Sequence, residues 1–199
     1  MNIVIIKYNA GNIESVNNAL NRLNINAEIT ADPEKIRNAD KVIFPGVGEA
    51  STTMEYLRKN ELDKLIISLK QPVLGICLGL QLMCSHSEEN DTKCLGIFDE
   101  KVIRFVPKSG EEFITKVPHM GWNAISDLKS NIFSEDIENG YVYFVHSYYA
   151  GRGNHTIATC NYINPFSAAL QKDNFYATQF HPEKSGTIGA QILKNFINL

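Results

Sequence analysis

A cysteine set between glycines, in Gly75-Ile76-Cys77-Leu78-Gly79-Leu80-Gln81, ends an apolar run and opens what reads as a helix. The glycines permit a tight strand-to-helix turn, the nucleophile-elbow arrangement with cysteine in the serine position. There the sulfur lies near the positive end of a helix, which favours thiolate, and the Leu78 N–H points to where an oxyanion would form. A cysteine nucleophile needs a base. Among five histidines (His86, His119, His146, His155 and His181), His181 stands in Gln179-Phe180-His181-Pro182-Glu183, with a carboxylate two residues on. In extended backbone, residues i and i+2 face the same side, and Pro182 keeps His181 out of helical conformation. Glu183 would then orient the imidazole and stabilise its cation. The tripeptide alone also fits a turn ahead of a helix, with Glu183 favourable at its N-terminus. Joined to the elbow, it reads as a Cys-His-Glu triad.

Three other segments carry candidate chemistry. Pro45-Gly46-Val47-Gly48 offers backbone N–H groups unobstructed by large side chains, as an oxyanion hole or anion nest requires. Pro118-His119-Met120-Gly121-Trp122-Asn123 gathers the only Trp with a His and an Asn, either as local packing or as an anchor for a partner. Phe144-Val145-His146-Ser147-Tyr148-Tyr149 reads as a strand whose Ser147 and Tyr148 backbone groups are able to line a site. Cys84, His86 and Cys94 match no familiar zinc spacing, so no metal and no cofactor is expected.

The elements that must position these residues are legible from periodicity. Ile3 to Ile6 predicts a strand buried on both faces, followed by a Gly11-Asn12 break. Ile13, Val16, Leu20 and Leu23 recur at helical spacing, and Ile25 to Ile29 predicts a second strand. Asp32-Pro33 caps a brief helix reaching toward Ala39, and Lys41 to Phe44 is a third strand. Helical structure is expected from Ser51 to Lys70, with a break near Asn60, before a fourth strand at Pro72 to Ile76. Such alternation implies right-handed βαβ units and a sheet covered on both faces. From Gly96 to Thr178 short runs rich in Val, Ile, Tyr and Phe suggest antiparallel strands, and Ser185 to Asn198 closes the chain as a helix.

The chain of 199 residues is 44% hydrophobic and has no repeat or linker, so one domain spanning 1–199 is expected. Lys and Arg number 19 against 22 Asp and Glu, for a net charge of −3 with no basic block, which gives neither nucleic acid nor a membrane surface electrostatic support. The longest apolar stretch, Pro72 to Cys84, is interrupted by glycines and Gln81 and is shorter than the roughly 18 residues of a membrane span. No secretory signal is evident at the N-terminus, so the cytoplasm is the expected compartment. Four cysteines, without C-x-x-C spacing, read as free thiols.

Taken in order, Gly11-Asn12, Pro45-Gly46-Val47-Gly48, the Cys77 elbow and Gln179-Phe180-His181-Pro182-Glu183-Lys184-Ser185 resemble the motifs of the class I (triad) glutamine amidotransferases over nearly the whole chain. The Pro118 to Asn123 segment resembles the branch that serves histidine biosynthesis. The resemblance implies a single-domain α/β, flavodoxin-like fold: a mostly parallel mixed sheet flanked by helices, with a smaller antiparallel sheet. It implies that Cys77 attacks the carboxamide of L-glutamine, that His181 protonates the leaving ammonia and that Glu183 orients His181. Val47, Gly48 and Leu78 would surround the oxyanion, and Gln81, Glu89, Ser147 and Tyr148 would hold the substrate. It further implies a heterodimer, in which ammonia passes through a tunnel to a (β/α)8-barrel synthase docked on Asn12, Met120, Trp122 and Lys184. The oxyanion strand is then mis-set until the synthase is occupied, so the isolated chain is expected to show little activity. One departure is visible: Lys7-Tyr8-Asn9-Ala10 replaces the family's Asp-Tyr-Gly lead. Because it touches the docking face, a related synthase that modifies surface sugars is the alternative partner.

Overall fold

The structure, a computed structural model, describes residues 1–9, 12–107, 109–110 and 115–199. Its strands are β1 (Ile3–Ile6), β2 (Glu28–Thr30), β3 (Lys41–Gly46), β4 (Val73–Cys77), β5 (His86–Ser87), β6 (Thr92–Lys93), β7 (Lys101–Arg104), β8 (His119–Ala124), β9 (Tyr141–His146), β10 (Tyr148–Ala150), β11 (Thr156–Asn161), β12 (Pro165–Lys172) and β13 (Phe175–Thr178). The helices are α1 (Ile13–Arg22), α2 (Pro33–Arg37), α3 (Ala50–Lys59), α4 (Leu62–Ser68), α5 (Leu78–Met83) and α6 (Gly186–Ile197).

Seven strands form the main sheet in the order β11-β12-β13-β4-β3-β1-β2. The pairs β1/β2, β1/β3, β3/β4 and β13/β4 are parallel, and β12 and β11 extend the sheet antiparallel. Successive strand side chains alternate between faces, so β1 sends Val4 and Ile6 into one apolar layer and Ile3 and Ile5 into the other. Each buried aliphatic side chain contributes about 1.5–3 kcal/mol, which is why the run has no polar interruption. Helices α2 to α5 cover the first layer. On the other face lie α1, α6 and β9, with β8 paired to β9.

Local signals act as the spacing predicts. The Asp32 side chain accepts from the Glu34 and Lys35 N–H groups, with Pro33 opening α2. Glu61, at φ 56°, separates α3 from α4 close to Asn60. Gly11, half of the expected Gly-Asn break, lies outside the described residues.

Two expectations change. The second strand is Glu28–Thr30 and not Ile25 to Ile29, because the Ile25 N–H closes back on the Leu20 carbonyl and Asn24 turns the chain at φ 58°. In place of one smaller antiparallel sheet there are two small sheets: β10-β7-β5-β6, in which β5 and β7 run parallel, and the antiparallel pair β8-β9. Short strands are told apart by which partner they reach, and that is not a property of their own residues.

The carboxyl ends of three adjacent parallel strands now meet. Gly46 of β3 pairs in register with Cys77 of β4, and β13, on the other side of β4, leads within three residues to His181. In open α/β sheets this edge is where ligands bind.

Candidate active site

Cys77 occupies the turn from β4 to α5 at φ 53°, ψ −105°, a conformation costly for a side chain bearing a Cβ. Its neighbours make the turn possible. A Cβ on Gly79 would stand 2.2 Å from the Phe44 carbonyl oxygen, so only glycine lets α5 press on β3. A Cβ on Gly75 would stand 2.9 Å from the Met83 sulfur and 3.1 Å from the Gly79 backbone.

His181 is fully buried and extended, its N–H bonded to the Tyr143 carbonyl at 2.9 Å. A 3₁₀ turn over Pro182–Lys184 follows, and it brings the Glu183 Oε1 atom to 2.7 Å from Nδ1 of His181. The pairing is therefore made by a turn that Pro182 initiates, not by the extended i, i+2 geometry that the spacing suggests. The Ser185 hydroxyl donates to the His181 carbonyl at 2.6 Å and accepts from the Tyr143 N–H at 3.0 Å, locking the turn against β9.

With Nδ1 donating to Glu183, Nε2 of His181 is left without a hydrogen-bond partner at the cavity that Cys77 also lines. Burial pulls the imidazole down, but the Cys77 sulfur and the Glu183 carboxylate outweigh it, and its pKa is raised to about 10. A histidine so placed holds a proton at the cavity that the Cys77 sulfur shares. Tyr8, which donates to the Pro45 carbonyl at 2.5 Å, has its phenol pushed up by burial and by the Cys77 charge.

The cavity is about 360 Å³, within the range of small-ligand sites. Cys77, His181, Val47, Gly48, Leu78, Gln81, Glu89, Ser147 and Tyr148 all line it. Gly48, at φ 118°, takes a backbone conformation that favours glycine. Glu89 is half engaged, since its Oε2 accepts from the Ala50 N–H at 2.8 Å. Burial raises its pKa while that bond opposes the rise. Glu49 caps α3 and takes a hydrogen bond from Asn90 at 2.5 Å, so the loop carrying Gly48 is tied to the segment carrying Glu89.

Asn12, expected at a docking face, reaches the His-Glu pair: its Nδ2 donates to Glu183 Oε1 at 2.8 Å. Met120 and Trp122 lie on β8 and are 64% and 54% exposed. Lys184 is exposed too, its ammonium 6.0 Å from the centre of the Tyr143 ring, against which Trp122 sits edge-on. Trp122, Tyr143 and Lys184 thus form one continuous patch.

Gln179 carries no assigned role in the sequence reading, yet its Oε1 accepts from Gln81 Nε2 at 3.1 Å and its Nε2 lies 3.8 Å from the Cys77 sulfur. Its position two residues before His181 was the available signal. Pro118, Val145 and His146 also line the cavity.

A strained cysteine at the carboxyl end of a central parallel strand, with a buried His-Glu pair beside the same cavity, is chemically equipped for cysteine-dependent acyl transfer on an α/β sheet. Residues 4–199 match the family model "Glutamine amidotransferase class-I", and the chain belongs to that family and is an enzyme. It is 60% identical over 199 residues to the imidazole glycerol phosphate synthase subunit HisH of Bacteroides fragilis, covering all of both chains. Its identity to the HisH subunit of Escherichia coli is 46% over 201 residues, again covering both in full. A crystal structure of a glutamine amidotransferase shares the fold at a TM-score of 0.70 and 18% identity, with 98% of this chain and 97% of that one aligned. Among the described residues no helix is long and apolar enough to cross a membrane.

Proposed function

We propose that this chain is the glutaminase subunit of an imidazole glycerol phosphate synthase, and that it works in the cytoplasm. The observation that carries the reading is end-to-end 60% identity to a HisH subunit in a chain with Cys77, His181 and Glu183 assembled at one site.

In the proposed reaction the Cys77 thiolate attacks the carboxamide carbon of L-glutamine. The N–H groups of Leu78 and of the Val47-Gly48 loop receive the developing oxyanion. The C–N bond breaks as the His181 imidazolium gives its proton to the leaving nitrogen, releasing ammonia and leaving a γ-glutamyl thioester. His181, now neutral, takes a proton from water as that water attacks the thioester, and glutamate leaves with Cys77 restored as thiolate. Glu183, oriented by Asn12, holds His181 through both half-reactions. Gln81, Glu89, Ser147 and Tyr148 position the substrate. Ammonia then passes to a (β/α)8-barrel synthase docked on the face of Asn12, Met120, Trp122 and Lys184.

The test is glutamate release from glutamine by the purified chain, alone and with a barrel synthase of the histidine pathway and its nucleotide substrate. Strong stimulation that Cys77→Ala abolishes supports the reading. Stimulation only by a synthase of another pathway would overturn its histidine branch, and no glutamate release with any partner would overturn the glutaminase itself.

A further inference from the structure

Two buried histidines stand outside the triad. His119 of β8 and His146 of β9 face each other in register, with Nδ1 of His119 3.0 Å from Nε2 of His146. At one end Asn123 Nδ2 lies 3.3 Å from Nε2 of His119, and at the other Nδ1 of His146 lies 2.7 Å from the Tyr148 carbonyl oxygen.

The ends assign the protons. A carbonyl only accepts, so Nδ1 of His146 carries hydrogen. In the neutral ring Nε2 then accepts, which makes Nδ1 of His119 the donor and its Nε2 the acceptor of the Asn123 amide. The orientation of that amide is set independently: its oxygen accepts from the Ala124 N–H at 2.8 Å and its nitrogen donates to the Asn161 carbonyl at 2.9 Å. Burial keeps both rings neutral, lowering His119 to about 4 and His146 to about 3. The Tyr148 carbonyl takes a second bond, from Gln81 Nε2 at 2.8 Å, and Gln81 reaches Gln179 beside Cys77.

We infer that His119 and His146 are positioning residues for the glutaminase: a one-directional chain from Asn123 through both rings fixes the Tyr148 peptide and, through it, Gln81 on the wall facing Cys77. The inference rests on reading that cavity as the glutamine site. Mere packing asks less of these rings. His119 is stacked on Tyr162 and Phe144, with ring centres 4.0 and 4.8 Å away, and any flat apolar group would fill that space.

The experiment has two arms, both with the chain bound to its synthase. Asparagine places an N–H where Nδ1 of histidine stands, so His146→Asn keeps the bond to Tyr148 and His146→Leu removes it. His146→Leu is expected to raise KM for glutamine about tenfold with a smaller change in kcat, and His146→Asn to return KM to within about threefold of the unaltered protein. The ¹⁵N spectrum of the unaltered complex is expected to show both imidazoles as Nδ1–H tautomers at neutral pH. Equal KM values for the folded Leu and Asn variants, or an Nε2–H tautomer at either ring, would overturn the inference. If the Leu variant does not fold, the tautomers decide. Failure of the glutamine reading would look different, because the unaltered complex itself would release no glutamate.

Discussion

Glu183→Gln isolates the charge behind His181. Both donors that reach the carboxylate, Nδ1–H of His181 at 2.7 Å and Nδ2–H of Asn12 at 2.8 Å, converge on Oε1, while Oε2 has no partner. An amide with its oxygen at the Oε1 position keeps both bonds and puts its NH₂ where nothing was paired. What disappears is the negative charge. At an effective dielectric constant of about 20, two unit charges about 4 Å apart attract by about 4 kcal/mol. If that attraction supports the imidazolium in the transition state, its loss lowers kcat about 10³-fold. The pH dependence follows. Burial pulls His181 down and only Cys77 and Glu183 hold it up at about 10, so removing Glu183 moves the alkaline limb of the activity profile to lower pH. Stability moves in the same sense. A folded-state pKa raised above the unfolded value of about 6.5 stabilises the fold fully below that pH and loses the contribution as pH rises through about 10. The variant is therefore less stable than the parent at neutral pH, and this part of the difference vanishes above about pH 10. The assay is glutamate release with the synthase across pH, beside urea unfolding at neutral and alkaline pH. A variant within about threefold of the parent, with an unmoved alkaline limb, would refute the role given to Glu183.

Gly189→Ala tests how α6 sets the His-Pro-Glu turn: the new Cβ would stand 1.9 Å from the Pro182 carbonyl oxygen, so a loss of about 1–3 kcal/mol in thermal unfolding should accompany reduced activity. Unchanged stability would mean that the turn yields freely. Trp122→Ala should leave the unfolding temperature of the isolated chain unchanged, because the ring is 54% exposed, while weakening synthase binding by about 2 kcal/mol or more in calorimetry. Equal affinity for both chains would move the docking face elsewhere.

Much of the site was legible because its signals are local. The elbow glycines, the proline between His181 and Glu183 and the Asp32 cap each act within a few residues, and the helical and alternating periods of α1, β1 and α6 mark their buried faces without knowledge of partners. Short strands such as β5 and β6, two residues each, carry no such period, and their place beside β7 in a separate four-stranded sheet is not readable from their own residues. The edge strand β2 begins later than its apolar pattern suggests, because a main-chain turn at Asn24 takes up Ile25.

Local sequence is enough to hold a cysteine at a strand-to-helix turn and to set a histidine and a glutamate close together, since covalent neighbours and backbone sterics suffice for both. Tertiary structure decided what completes them. Asn12 reaches Glu183 from 171 residues away, Gln81 meets Gln179 from 98, and His119 finds His146 only through the register of β8 on β9. These contacts depend on strand order and on which faces the two apolar layers bury together. They are settled by packing of the whole chain and leave no trace in the local spacing of residues.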